Sequence, residues 1–88
     1  MAKKDHRYKT VKILIQGKFI KNFKQIFDHI PKSVVASALH TNNNRMTDLI
    51  NEPADLRVGE MYKIAKLIGV PFLVVAGLVE VSLNNPEN

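Results

Sequence analysis

Apolar residues recur at three- and four-residue spacing along much of this chain, a pattern typical of short amphipathic α-helices. Val11, Leu14 and Ile15 predict a first helix over residues 8–16, with Gly17 suited to its C-terminus. Every second residue from Val11 to Ile15 is also apolar, as a strand would require. We favour the helix, and the strand stays the alternative.

Two more helices are predicted on either side of Pro31. Asn22 is a suitable N-cap for a helix over residues 23–30. That helix must end before Pro31, because a proline disfavours the α conformation in the residue that precedes it. Pro31 itself suits the first turn of a short third helix. His40 and Thr41 then form a tight turn.

The second half of the chain continues the helical pattern. In chain order, we predict a helix over residues 43–51 capped by Asn42, a loop over 52–55, a helix over 58–68 ended by Gly69, and an apolar segment from Pro71 to Leu83. The β-branched content of the apolar segment leaves helix and strand both open there. We expect one all-α domain of five to six short helices over residues 8–83, with a flexible basic arm over 1–7 and a frayed tail over 84–88.

Residues 32–51 have the spacing of two helices that cross closely at a small residue. Ala36 is that small residue. The apolar side chains that would close over the crossing are Val35, Leu39, Met46 and Leu49. A small residue and apolar partners at this spacing are the pattern of a helix-turn-helix.

Polar side chains fill the outward face of the helix predicted over residues 43–51. A rotation of about 100° per residue turns them away from the apolar side. Asparagine can pair with adenine, a threonine methyl can touch thymine, and an aspartate such as Asp48 can accept from cytosine. The predicted base-reading residues are Asn43, Asn44, Thr47 and Asn51. An asparagine-rich helix start can also serve only as a cap. Arg45 could hold a phosphate or a neighbouring carboxylate, or it could read a base.

At this point the chain resembles the Cro/cI-type (lambda-repressor-like, XRE) helix-turn-helix family, and in particular its small stand-alone bacterial or phage-derived members. The resemblance covers about Asn22 to Val79 and is strongest in the strings VVASAL, RMTDLI and MYKIAKLIGV. The resemblance implies a lambda-repressor-like bundle whose third core helix enters the major groove. It also implies phosphate contacts at Lys32 and Ser33, and Arg45 is a further candidate for a phosphate contact. The departures from the family pattern are His40 and Glu52 where glycine is usual, Thr41 where an aliphatic residue is usual, and Arg57 where a Ser or Thr cap is usual.

Charge is unevenly distributed along the chain. The formal net charge is +5, from thirteen basic and eight acidic residues. Residues 1–32 hold nine basic and two acidic residues, which gives +7, whereas residues 33–88 hold four and six, which gives −2. A basic segment predicts a polyanionic partner such as DNA. We expect this segment to supply most of the affinity of the protein for DNA. The alternative is that the basic residues only form a solvated face.

The sequence contains few residue patterns typical of catalytic, metal-binding or nucleotide-binding sites. The chain has no cysteine and three scattered histidines, and it lacks paired carboxylates near a histidine and a glycine-rich phosphate loop. We therefore expect no enzyme, no metal, no cofactor and no small-molecule ligand. The apolar stretch of residues 70–79 is too short to cross a bilayer, which needs about 20 residues. With no secretory signal in MAKKDHRYK, we expect a cytoplasmic protein.

These patterns lead to one principal hypothesis and one alternative. The principal hypothesis is a sequence-specific, double-stranded-DNA-binding transcriptional regulator, repressor-like and homodimeric. The resemblance brings in dimerisation through the last helix, and the candidate dimer residues are Phe72, Val75, Leu78 and Val79. The alternative is a protein-interaction module, antitoxin-like or partner-binding, that uses the apolar C-terminal segment.

Overall fold

The computed structural model describes residues 5–84, and all regular structure in that part of the chain is helical. The elements are α1 (Arg7–Gln16), α2 (Lys32–Ala38), α3 (Asn43–Asn51), α4 (Val58–Ile68) and α5 (Phe72–Asn84), with 3₁₀ turns at Lys24–Asp28 and Pro53–Asp55. The predicted all-α fold is confirmed. Of the expected arm and tail, residues 1–4 and 85–88 lie outside the described residues, while Arg7 already begins α1 and Asn84 ends α5.

One apolar core joins the five helices. Its fully buried large side chains are Val11, Phe23, Ile26, Ile30, Met46, Leu49, Ile64 and Val75. Burying a large aliphatic or aromatic side chain stabilises a fold by about 1.5–3 kcal/mol. The periodic apolar positions of the sequence therefore supply a core without any disulfide.

The end of α1 is the predicted one, because the helix ends at Gln16 and Gly17 is its C-cap. The left-handed residue is the next one, Lys18, with φ 64°. The N–H groups of Lys18 and Phe19 donate to Ile15 and Leu14 at 3.0 and 2.8 Å, which satisfies the last carbonyls of α1. A Cβ on Gly17 would lie 3.0 Å from the ring of Phe19, but that ring is 74% exposed and has room to move.

The prediction of an α-helix over residues 23–30 is wrong, because this segment forms only the 3₁₀ turn Lys24–Asp28. Asn22 still acts as a cap, since its Oδ1 accepts a backbone N–H three residues later at 3.0 Å. Helices this short are not stable by themselves in water, so the packing of the segment between Asn22 and Pro31 decides its form. In a 3₁₀ turn residues three apart are eclipsed, so Phe23 and Ile26 both point into the core.

The apolar C-terminal segment is the helix α5, so the strand alternative is wrong there. Burial of one helical face overrides the β-branched preference of this segment. The face is joined to the rest of the fold by Ser82, whose Oγ accepts the Phe23 N–H at 3.1 Å and donates to the Leu78 carbonyl at 3.0 Å. Among the described residues no single helix is long and apolar enough to cross a membrane, and α4 and α5 reach that length only together, across a 117° bend.

The dimer residues expected on α5 need correction. Val75, Leu78 and Val79 are 0%, 8% and 7% exposed and belong to the core of their own chain. The fourth, Phe72, is half-buried and stacks on Tyr62. The periodicity of α5 could not distinguish the face that packs inward from the face that remains outside, because both faces are apolar.

Candidate nucleic-acid interface

The turn between α2 and α3 is fixed by a left-handed histidine. His40 has φ 57°, and its N–H donates to the Ser37 carbonyl at 3.1 Å. The Thr41 N–H donates to the Ala36 carbonyl at 2.9 Å. This pair of bonds is the usual ending of a helix at a left-handed residue, which is most often glycine. His40 therefore keeps the turn geometry at a cost in backbone strain that glycine would not have.

The start of α3 and its contact with α2 follow the sequence closely. Asn42 Oδ1 accepts the Arg45 N–H at 2.8 Å, so Asn42 caps α3. The side chains expected to pack the two helices together all lie in the core, and they are Val35, Ala36, Leu39, Met46 and Leu49. α3 is thus held by its inner face on α2, and its outer face is left for solvent or a partner.

The outer face of α3 presents amides and one carboxylate. Asn43, Asn44 and Asn51 are exposed, as is Asp48, and Thr47 is half-buried beside them. No hydrogen bond within residues 5–84 engages the side chain of any of these asparagines. Their donors and acceptors are therefore available to an external partner.

Lys32 reaches the same face from α2. Its Nζ lies 2.6 Å from Thr47 Oγ1, and that hydroxyl donates to the Asn43 carbonyl at 2.9 Å. A residue expected at a phosphate and a residue expected at a base edge therefore share one hydrogen-bonded cluster. Ser33, the next phosphate candidate, is exposed on the first turn of α2. The contact joins residues fifteen positions apart, and sequence spacing alone did not indicate it.

Arg45 is held away from the candidate phosphate contacts by an ion pair inside the chain. Its Nη2 lies 3.0 and 3.1 Å from the two carboxylate oxygens of Glu60. Glu60 Oε1 also accepts the Arg57 N–H at 2.9 Å, so Glu60 caps α4. Of the three roles left open for Arg45, the structure places it against the neighbouring carboxylate.

Lys32 is the residue of the basic N-terminal segment that contacts α3, whereas three of its other lysines lie against other parts of the fold. Lys12 lies beside Gly69, where its Nζ is 3.8 Å from the position of a Cβ on that residue. Gly69 ends α4, and Glu60 is near its start, so a rise of about 14 Å along the helix separates the two sites. Lys18 and Lys21 line a groove against α5. Sequence proximity to the helix-turn-helix therefore did not predict which surface these lysines occupy.

Arg57 is a basic residue near α3, at the position where the family pattern has a Ser or Thr cap. Its side chain is exposed, and its backbone is joined through Glu60 to Arg45 at the start of α3. Lys32, through its side chain, and Arg57, through its backbone, are therefore two exposed basic residues that the structure connects to α3. The signal in the sequence was a basic residue at the position where α4 begins.

Within residues 5–84 no three His, Asp or Glu side chains lie close enough together to hold a metal ion.

Comparison of the chain with protein-family models, with curated proteins and with solved structures finds no match in any of the three.

Proposed function

We propose that this chain binds duplex DNA with sequence preference by placing the outer face of α3 in the major groove, as a repressor-like transcriptional regulator would. The observation that carries the proposal is the cluster of Lys32 with Thr47 beside the exposed amides of Asn43 and Asn44. A cation next to hydrogen-bonding amides on one short helix suits a phosphate next to base edges.

The carboxylates near α3 define what kind of binding is expected. Asp48 and Glu52 are exposed on or after α3, and phosphates would repel both. Affinity at this face then depends on Lys32 and Arg57. We therefore propose modest affinity for random duplexes and a preference that comes from the amides.

The direct test is selection from a pool of random duplexes, followed by gel-shift titration of the enriched sequences at low salt. A family of enriched duplexes that bind more tightly than the starting pool supports the proposal. Equal binding of selected and random duplexes would refute it. The spacing of repeated half-sites in the enriched sequences also reports how many copies bind.

Two variants separate base reading from phosphate contact. Asn44→Ala should weaken the selected duplex by about 1–3 kcal/mol and leave random DNA unchanged, if Asn44 reads a base. The matched control is Asn84→Ala, which removes an exposed amide at the end of α5. Lys32→Ala should weaken all sequences alike and reduce the salt slope by about one unit. Its control is Lys24→Ala, at an exposed site on the first 3₁₀ turn.

A homodimer would use another surface than the one first expected. Leu73 and Val81 are 77% and 37% exposed, and with Gly77 they form a stripe spaced by four residues along α5, which we call the α5 stripe. A Cβ on Gly77 would meet nothing within 4 Å, so no packing inside the chain requires this glycine. A glycine in mid-helix costs about 0.5–1 kcal/mol relative to alanine. A second helix that crosses at Gly77 would account for it.

We place the dimer contact of the DNA-bound protein on the α5 stripe. Sedimentation equilibrium should then show a dimer for the natural chain and a monomer for Leu73→Glu. Leu83→Glu is the control, because Leu83 is 50% exposed on a different side of the same helix. A monomeric natural chain, or equal effects of the two substitutions, would contradict this placement.

The alternative function, a protein-interaction module, draws on the same exposed stripe. A large exposed apolar surface is typical of a protein contact. If the chain remains monomeric and selects no duplex, but a different protein protects residues 73–81 from hydrogen exchange, the interaction module is the better account.

A further inference from the structure

An exposed pair of stacked aromatic rings lies where α4 meets α5. The rings of Tyr62 and Phe72 are 4.2 Å apart and inclined by 20°, and Tyr62 is still 57% exposed. The stack exists because the two helices turn through 117° after Gly69, which brings the first residue of α5 beside α4. Tyrosine is enriched at interfaces because it offers a large rigid apolar surface and a polar end.

The stack forms one wall of an open groove of about 390 Å³. Its lining residues are Tyr62, Lys63, Ala65, Lys66, Val70 and Phe72. The small, buried Ala65 and the half-buried Val70 add apolar surface to the rings. None of the six is acidic, so the groove combines apolar surface with two positively charged amines.

We propose that this groove, which we call the Tyr62 groove, binds an acidic peptide segment of another protein through one large apolar side chain. The apolar side chain would lie over Ala65 and Val70, against the aromatic stack. A carboxylate beside it would then meet Lys63, on a lining whose other ionisable side chain besides Tyr62, that of Lys66, is also basic. This charge complementarity selects an acidic partner over a basic or neutral one.

The same lining fits single-stranded nucleic acid less well. A protein that binds single-stranded nucleic acid needs a continuous basic groove along the backbone and several exposed aromatic faces on which bases stack. Here one face of Tyr62 is already covered by Phe72, and the only cations of the lining are Lys63 and Lys66. The apolar area offered by Ala65 and Val70 also has no side-chain donor or acceptor for a base edge.

The aromatic side of the Tyr62 groove faces away from the proposed DNA site. On α4, Tyr62 is two residues beyond Glu60, a rotation of about 200°, so it projects from nearly the opposite side of the helix. Glu60 is the residue that contacts α3 through Arg45. Lys63 is three residues beyond Glu60 and lies about 60° from it around the helix. The peptide titration that tests this inference uses no duplex DNA, so failure of duplex binding would leave the inference untouched.

The test is an NMR titration of the full chain with a short glutamate-rich peptide that carries a central Leu-Phe pair. We expect the largest shifts of backbone signals at Tyr62, Lys63 and Phe72. A second peptide, with Gly-Ser in place of Leu-Phe, should bind at least about tenfold more weakly, since it lacks the apolar anchor. A single-stranded oligothymidylate should bind the groove more weakly than the first peptide.

Two charge reversals complete the design. Lys63→Glu should weaken the first peptide by about tenfold or more, because a carboxylate would then face carboxylates. Lys24→Glu changes the net charge equally at an exposed site on the first 3₁₀ turn and should leave binding within about twofold. Equal effects of the two reversals, equal binding of the two peptides, shifts confined to other surfaces, or tighter binding of the oligothymidylate would each overturn the proposal.

Discussion

Removal of the Glu60 carboxylate should loosen the connection between α3 and α4. Glu60 accepts two contacts from Arg45 and one from the Arg57 N–H, while its side chain is only 15% exposed. Glu60→Ala removes all three. Glu60→Gln keeps one oxygen that can accept the Arg57 N–H, but it removes the negative charge and replaces the other oxygen that faces Arg45 by an amide nitrogen. The pair of variants therefore separates the cap from the ion pair.

The expected magnitudes follow from these contacts. Loss of a helix cap costs about 1 kcal/mol. The ion pair contributes about 0.5–1 kcal/mol, because Arg45 is 35% exposed and solvent screens the interaction. We expect Glu60→Ala to lower the free energy of unfolding by about 1.5–2 kcal/mol, and Glu60→Gln by about 0.5–1 kcal/mol. A domain of this size loses about 4–8 °C in Tm per kcal/mol, so Glu60→Ala should lower Tm by about 10 °C.

Urea unfolding followed by circular dichroism measures both changes, at low salt and at about 1 M salt, where the Debye length is about 3 Å. The effect of Glu60→Gln should shrink at high salt, and the additional loss in Glu60→Ala should persist. A double-mutant cycle with Arg45→Ala isolates the ion pair. A loss below about 0.5 kcal/mol for Glu60→Ala, or identical losses for the two Glu60 variants, would refute the assignment of separate cap and ion-pair contributions.

Three further changes test other features of the fold by thermal or urea unfolding. His40→Gly should stabilise by about 0.5–1 kcal/mol, because a left-handed residue other than glycine costs about 1–2 kcal/mol and the greater freedom of glycine in the unfolded chain offsets part of the gain. Tyr8→Phe should stabilise by about 1 kcal/mol, since the buried Tyr8 hydroxyl has no hydrogen-bond partner among residues 5–84. Asp5→Asn should lower Tm at neutral pH, because hydrogen bonds from the side chain and backbone of Arg7 hold the pKa of Asp5 well below its usual value.

The sign of the Asp5 effect follows from linkage. A carboxyl with a depressed pKa in the folded state contributes stability above its unfolded pKa of about 3.9, and that contribution disappears as the pH falls through the folded pKa. The Tm difference between Asp5→Asn and the natural chain should therefore narrow below about pH 4. A difference that is constant with pH, a lower Tm for His40→Gly, or any loss of stability in Tyr8→Phe would each contradict the corresponding reasoning.

Local signals in the sequence determined where several helices begin and end. α3 covers the predicted residues 43–51 with Asn42 as its cap, and α4 covers the predicted 58–68 before a left-handed Gly69. These ends depend on hydrogen bonds between residues three to five positions apart, so the sequence carries all the necessary information. The periodic apolar positions likewise determined most of the core, because the side chains of one helical face must be buried together.

Tertiary structure decided the features that depend on contacts between distant segments. Lys32 with Thr47, and Arg45 with Glu60, are pairs fifteen residues apart whose meeting depends on how the helices cross. Packing also selected which apolar face of α5 enters the core, and so moved the candidate dimer surface from Val75 to Leu73. Periodicity reports that a helix has an apolar face, but only the packed fold shows which neighbours cover that face and which charges remain beside α3.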